Sequence, residues 1–88
     1  MIKVSVISPE RVLFEGEAAS LVVPAFDGQL GILRGHAPMM TLLGRGELRL
    51  EGGGGAPRVF DVAGGFLQVV DDQVRVVTEV ATEVTAGR

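Results

Sequence analysis

Along most of this chain apolar and polar residues alternate with a period of two, and the alternation is cut every few residues by glycine, proline or paired aspartates. In "GELRLEG", Leu48 and Leu50 fall on one side and Glu47, Arg49 and Glu51 on the other. Successive side chains of an extended strand point to opposite faces, so this spacing buries one face of a strand and cannot form the apolar stripe of a helix. "MIKVSVIS" likewise sets Ile2, Val4 and Val6 against Lys3 and Ser5. "DQVRVVTEV" sets Val74, Val76, Thr78 and Val80 against Arg75, Val77 and Glu79. Further apolar, β-branched runs lie at residues 12–14, 20–24, 58–63 and 66–70.

The breakers are Ser8-Pro9, Gly28, Gly35, Gly44 and Gly46, Gly52–Gly55, Gly64-Gly65 and Asp71-Asp72. Two adjacent aspartates between valine-rich runs predict a tight hairpin turn. Short strands with turn signals this closely spaced predict an all-β sandwich or barrel of about nine strands with little or no helix. Residues 76–86, "VVTEVATEVTA", scan loosely as a helix, but their valine and threonine density favours strand. With 88 residues and no composition break, residues 1–88 are expected to form a single domain.

Composition excludes several function classes. There are no cysteines, so disulfides, thiolate metal sites and thiol catalysis are ruled out. The net charge is −3 with signs interleaved, which is not the basic stripe of a nucleic-acid binder. No apolar run is long enough for a membrane-spanning helix, and "MIKVSVISPE" lacks the apolar core of a secretory signal. The chain is expected to be soluble and to meet a membrane only through a partner.

The residue-rich stretch "GQLGILRGHAP" (28–38) holds three glycines, the chain's one histidine and a proline. It is not a phosphate-binding loop, because Gly35 is followed by His36 and the one lysine is Lys3. Gly44-Arg45-Gly46 runs into a strand, so it is no dinucleotide fingerprint. Gly52–Gly55 reads as a hairpin loop, with no helix behind it to complete an anion site. His36 has no acidic neighbour within two positions for a metal, and none of Ser5, Ser8 and Ser20 sits in a nucleophile elbow. Its expected role is to hydrogen-bond neighbouring backbone before Ala37-Pro38. Gly28, Gly31 and Gly35 mark either corners of a small sandwich or a surface where another backbone comes close, and Pro38-Met39-Met40 either fills the core or docks a partner. The residues alone predict a non-catalytic domain with a binding surface and no cofactor.

The pattern as a whole goes further. "FDGQLGILRGHAP" resembles the G-x-L-G-I-x-x-G-H-A-P signature of the epsilon subunits of F-type ATP synthases, called delta in mitochondria. "VISPERVLFEGEA" resembles that family's first hairpin, and "FDVAGGFLQVVDDQVRVVTEVA" its closing strands with their Gly-Gly-Phe corner. The resemblance implies a β-sandwich of two antiparallel five-stranded sheets, about ten strands in all. It implies a rotor subunit of the central stalk that couples the c-ring to the gamma subunit of a proton- or sodium-translocating synthase. It places the chain on the cytoplasmic face of a bacterial inner membrane, ahead of a chloroplast or mitochondrial setting. By the same resemblance Phe26, Asp27, Gly28, Gln29 and Leu30 correspond to the loop that meets the c-ring. Ser8, His36, Ala37 and Pro38 correspond to the side facing gamma. Gln29 stands where the family often has glutamate, so the resemblance does not extend to a charge pair with a c-subunit arginine there. Arg34 and Arg45 stand where prolines are common. Family members usually continue into two C-terminal helices; here "TEVTAGR" ends the sequence, so neither inhibition by those helices nor an ATP site is expected. The rival reading is a lipoyl- or biotinyl-type carrier, for which Lys3 near the start of the first strand is in the wrong place; a small hydrolase ranks below it.

Overall fold

In the computed structural model, which describes residues 1–54 and 56–84, the alternating runs are all strands. In chain order they are β1 (Ile2–Ile7), β2 (Val12–Ala18), β3 (Ser20–Ala25), β4 (Gly28–Leu33), β5 (Met39–Leu42), β6 (Arg45–Glu51), β7 (Arg58–Ala63), β8 (Phe66–Val70), β9 (Gln73–Val77) and β10 (Val80–Val84). They form two five-stranded sheets, one ordered β2-β1-β9-β8-β5 and the other β10-β7-β6-β3-β4. The all-β sandwich expected from the sequence is what forms, with one difference of detail. β1 runs parallel to β9, while the other pairs are antiparallel. That parallel pair joins the first strand of its sheet to the last in chain order, and no turn connects them, so local sequence carries no trace of it.

Between the sheets lies a core in which Ile2, Val4, Val6, Leu21, Val23, Ile32, Leu48, Phe60, Leu67, Val69 and Val76 are fully buried. The inward positions read from "MIKVSVIS" and "GELRLEG" are all among the core residues. Phe60 is the largest fully buried side chain, and Phe14 packs edge-on to it at 6.4 Å between centroids. Arg58 lies over both rings, 5.1 Å from the Phe14 centroid and 5.8 Å from that of Phe60. Leu13 is the reason Phe14 can reach the core. Ile7 pairs with Val12 and Val6 with Phe14, so Leu13 is the extra residue of a β-bulge that turns Phe14 inward and leaves Val12 facing solvent.

Three of the crossings between the sheets are two-residue links. Leu43-Gly44 follow β5, Gly64-Gly65 follow β7, and Thr78-Glu79 follow β9. The last crossing corrects the alternation read through residues 74–80. Val74 and Val76 are buried as expected, but the strand ends at Val77 and Val80 is 59% exposed. The Thr78 N–H donates to the Ile7 carbonyl at 2.9 Å, and its hydroxyl donates to the Val80 carbonyl at 3.0 Å, which turns the backbone out of the sheet and resets the alternation. The hairpin expected at Asp71-Asp72 is present as a two-residue turn with φ of 51° and 62°, the left-handed pair that matches strand twist. The expected strand character of residues 76–86 holds as far as Val84; the remainder lies outside the described residues.

Arg58 on β7 and Glu83 on β10 form a bidentate pair, one arm of which is Arg58 Nη2 to Glu83 Oε1 at 3.1 Å. The hydrogen bond from Arg58 holds the Glu83 carboxyl below its ordinary range, outweighing the opposing effect of burial, and the Arg58 charge adds a lesser contribution in the same direction. A lowered folded-state value gives stability that is present above the unfolded pKa of about 4.3 and is lost as pH falls through the folded value. Both side chains are 44% exposed, so screening keeps the effect small. Glu83→Gln is expected to lower stability at pH 7 by no more than about 1 kcal/mol, and to leave it unchanged at pH 2. Urea denaturation at the two pH values checks both statements.

Candidate partner-binding face

A strand buried on one side should carry polar residues on the other, and the sheet β2-β1-β9-β8-β5 breaks that rule along one row. In β8, Leu67 and Val69 point into the core, so Phe66 points out. In β9, Val74 and Val76 point in and Val77 out; in β1, Val4 and Val6 point in and Ile7 out. The pairing register brings these outward residues into line. Leu42 opposes Phe66, Phe66 opposes Val77, Val77 lies beside Ile7, and Ile7 opposes Val12. All five are apolar. Leu42 is 63% and Val12 55% exposed, while Phe66, Val77 and Ile7 are half-buried. The next row on the same face is Met40, Gln68, Arg75, Ser5 and Glu15, which is polar after its first member.

The apolar row continues onto the tip of the β3–β4 hairpin. Phe26 N–H donates to the Leu42 carbonyl at 3.0 Å, and the exposed Phe26 ring lines one groove with Met40, Thr41, Leu42 and Phe66. The tip is held there by Gly44 N–H donating to the Pro24 carbonyl at 2.8 Å and by a bridge between Ala25 and Leu43. A band from Phe26 through Leu42, Phe66, Val77 and Ile7 to Val12 therefore crosses one end of the molecule. A contiguous apolar strip bordered by polar residues is the kind of surface that a protein, a membrane or an apolar ligand covers.

The residues singled out from the sequence fall into two places. Phe26 and Asp27 form the β3–β4 turn, and Gly28 and Gln29 open β4 as exposed residues. Leu30 is half-buried and packs on the core, so it positions this loop more than it presents a surface. Ser8 sits at the band end, in the turn after β1. Its hydroxyl accepts from Arg11 N–H at 3.3 Å and donates to the Arg11 carbonyl at 3.2 Å, so it braces its own turn. His36, Ala37 and Pro38 lie at the opposite end of β8 and β9, beside the Asp71-Asp72 turn, where Gly35 N–H donates to Asp72 Oδ1 at 2.7 Å. Ser8 and the 36–38 loop thus bracket the face from its two ends and do not touch.

His36 behaves as its sequence setting suggested. Its N–H donates to the Leu33 carbonyl at 3.1 Å, closing a turn, and its ring Nδ1 is 2.7 Å from the Ala37 carbonyl. A carbonyl only accepts, so Nδ1 carries the proton. Among the described residues no cluster of three or more histidine, aspartate or glutamate side chains is arranged to hold a metal ion. Lys3 lies within β1, paired with Glu17 and Gln73, and not at a hairpin tip where a carrier lysine must be.

The glycines divide by physical need. Gly52 and Gly53 are pressed against β2 and its exit, where a Cβ on Gly52 would lie 2.4 Å from Ala19 Cβ and one on Gly53 2.6 Å from the Glu17 carbonyl oxygen. Gly31 is different. It has ordinary strand conformation on the edge strand β4, and a Cβ there would meet nothing within 4 Å. Nothing inside the chain requires it to lack a side chain. The band itself was missed from the sequence, because its members come from five separate segments and only the register assembles them.

Comparison with known proteins agrees with this architecture. Residues 1–84 match the family model of the ATP synthase delta/epsilon chain β-sandwich domain. The ATP synthase epsilon chain of Leptospira interrogans is 44% identical over 78 residues, 89% of this chain and 61% of that one. The epsilon chain of Rhodopirellula baltica is 49% identical over 77 residues, covering 88% and 59%. The chain thus spans about three fifths of the length of these curated relatives. Among solved structures, a chain of the Euglena gracilis mitochondrial ATP synthase OSCP/F1/c-ring assembly superposes with a TM-score of 0.85 at 26% identity, over 93% of this chain and 52% of that one. A chain of the Tetrahymena thermophila central stalk and c-ring shares the fold, with a TM-score of 0.74 at 16% identity over 91% and 64%.

Proposed function

The chain belongs to the ATP synthase delta/epsilon chain β-sandwich family, and on that premise we propose that it is a rotor-coupling subunit of the central stalk, non-catalytic itself, joining the gamma subunit to the c-ring. The observation that carries this reading is the apolar band from Phe26 to Val12. A small domain gains nothing by exposing six aligned apolar side chains unless a partner covers them. The band is the anchor for gamma, with Ser8 at its margin and His36, Ala37 and Pro38 touching gamma from the far end of the same face. The Phe26–Gln29 tip projects from the band's end toward the loops of the c-ring. Gly31, bare on an exposed edge, lets another backbone approach β4 closely. Through these partners the chain is held at the cytoplasmic face of a bacterial membrane.

Mechanically, rotation of the ring reaches gamma only if the joint does not slip. That calls for an interface of standard size, roughly 800 Å² from each partner, with a few buried anchors carrying most of the affinity. The test is calorimetry of this chain with the gamma subunit of the same synthase. One-to-one binding is expected, and a folded chain that binds neither gamma nor an assembled gamma–c-ring rotor overturns the reading. His36→Ala is expected to weaken gamma binding by about tenfold while leaving the unfolding midpoint in place, because its ring is half-exposed and braces only its own loop. Unchanged affinity removes His36 from the contact.

A further inference from the structure

The loop at residues 34–38 carries the chain from one sheet to the other, and it has few means of holding its shape. Arg34, Gly35, Ala37 and Pro38 are exposed. The hydrogen bonds of His36 go to Leu33 and Ala37, within the loop and its stem. Among the described residues one hydrogen bond ties this loop to a distant segment: Gly35 N–H to Asp72 Oδ1, 2.7 Å, across 37 positions of sequence. Asp72 is itself well anchored. It is the second residue of the β8–β9 turn at φ 62°, and its carbonyl accepts from Lys3 N–H at 2.9 Å, which fixes the turn against β1.

We propose that Asp72 is a positioning residue for the partner-binding loop. Its carboxylate, held rigid by the β8–β9 turn, fixes the Gly35 amide and so presents His36, Ala37 and Pro38 in one conformation. This rests on the functional reading above, since it assigns a task to Asp72 within the same surface. No contact between Asp72 and the partner is required. Asp72 lowers the ordering cost of binding by holding the loop before the partner arrives, as preorganisation does generally. A hydrogen bond to a charged acceptor is the strong kind, and one such bond to a loop otherwise tied only to itself is enough to set its conformation.

The positive φ at Asp72 supplies a clean experiment. Glycine suits that turn position at least as well as aspartate, so Asp72→Gly removes the acceptor without straining the turn. Asp72→Asn keeps an acceptor oxygen in place. Two readouts are needed: hydrogen exchange at the Gly35 amide in the isolated chain, and calorimetry with gamma. Asp72→Gly is expected to speed Gly35 exchange at least about tenfold and weaken gamma binding about three- to tenfold, with the global unfolding midpoint unchanged or raised. Asp72→Asn is expected to restore most of both. Unchanged Gly35 exchange in Asp72→Gly overturns the proposal outright. Faster exchange with unchanged affinity overturns the positioning role while leaving the loop anchor. Absence of binding by the unaltered chain is a separate failure, that of the rotor reading, and the exchange measurement still judges the anchor on its own.

Discussion

Gly65→Ala is expected to remove about half of the domain's stability. A Cβ on Gly65 would stand 1.9 Å from the Val77 carbonyl oxygen and 2.7 Å from Thr78 Cα, and both are backbone atoms with no rotamer to yield. The residue also has φ of 97°, outside what an L side chain adopts without strain. That conformation costs about 1–3 kcal/mol for alanine, and forcing backbone apart at a packed corner adds about 1–3 kcal/mol or more. The domain as a whole has only about 4–13 kcal/mol to lose, by the usual per-residue stability. The corner cannot move away easily, since Gly65 also accepts Leu43 N–H at 2.9 Å and so ties the two sheet crossings together. Gly31→Ala is the matched control, because its added methyl meets nothing and its φ is ordinary. Urea denaturation should show Gly31→Ala within about 0.5 kcal/mol of the unaltered chain and Gly65→Ala with its transition midpoint roughly halved. A Gly65→Ala domain of normal stability would mean that the β7–β8 corner is built differently from the one described.

What the sequence made legible and what it hid divide along a physical line. Period-two alternation is local, so Ile2, Val4, Val6, Leu48 and Leu50 could be assigned to the core without knowing which strands they pair with. Turn chemistry is local too, and the Asp71-Asp72 hairpin followed from it. The misreadings occur where one residue's alignment depends on a distant segment. Val80 looked like a continuation of the β9 alternation, but the corner at Thr78 is fixed by a bond to Ile7, far away in sequence. Leu13 looked like an ordinary strand residue, and only pairing with β1 reveals it as a bulge. The parallel pairing of β1 with β9 has no local signal at all. The same holds for the site. The 26–30 and 36–38 segments stood out by composition and by resemblance, whereas Leu42, Phe66, Val77, Ile7 and Val12 are individually unremarkable residues. Each is an outward position occupied by an apolar side chain, and their meaning lies in falling on one row.

That row sets the last expectation. Leu42→Asp should abolish measurable binding to gamma while leaving the isolated domain as stable as before. Leu42 lies between Phe26 and Phe66 on the band and is 63% exposed in the isolated chain, so a carboxylate there stays hydrated and costs folding no more than about 0.5 kcal/mol. Once a partner covers the band, the same carboxylate loses its water in a groove lined by Phe26, Met40, Thr41 and Phe66, with no cationic side chain among them. An unpaired charge buried in that setting costs more than the anchor it replaced, and central anchors alone are worth about 2–4 kcal/mol. The loss should exceed about a hundredfold in affinity, larger than for His36→Ala at the margin of the face. The control is a new charge on the other sheet. Thr82→Lys on β10 is exposed, opposite Asp61, and remote from the band in the strand order, so it should bind gamma normally. Equal binding by all three proteins would show that gamma does not use this band, and would leave the edge at Gly31 and the 26–29 tip as the surfaces on which a rotor joint has to be built. Loss in Leu42→Asp alone locates the joint on the outer face of the β2-β1-β9-β8-β5 sheet, where register, and no single segment, creates the apolar surface.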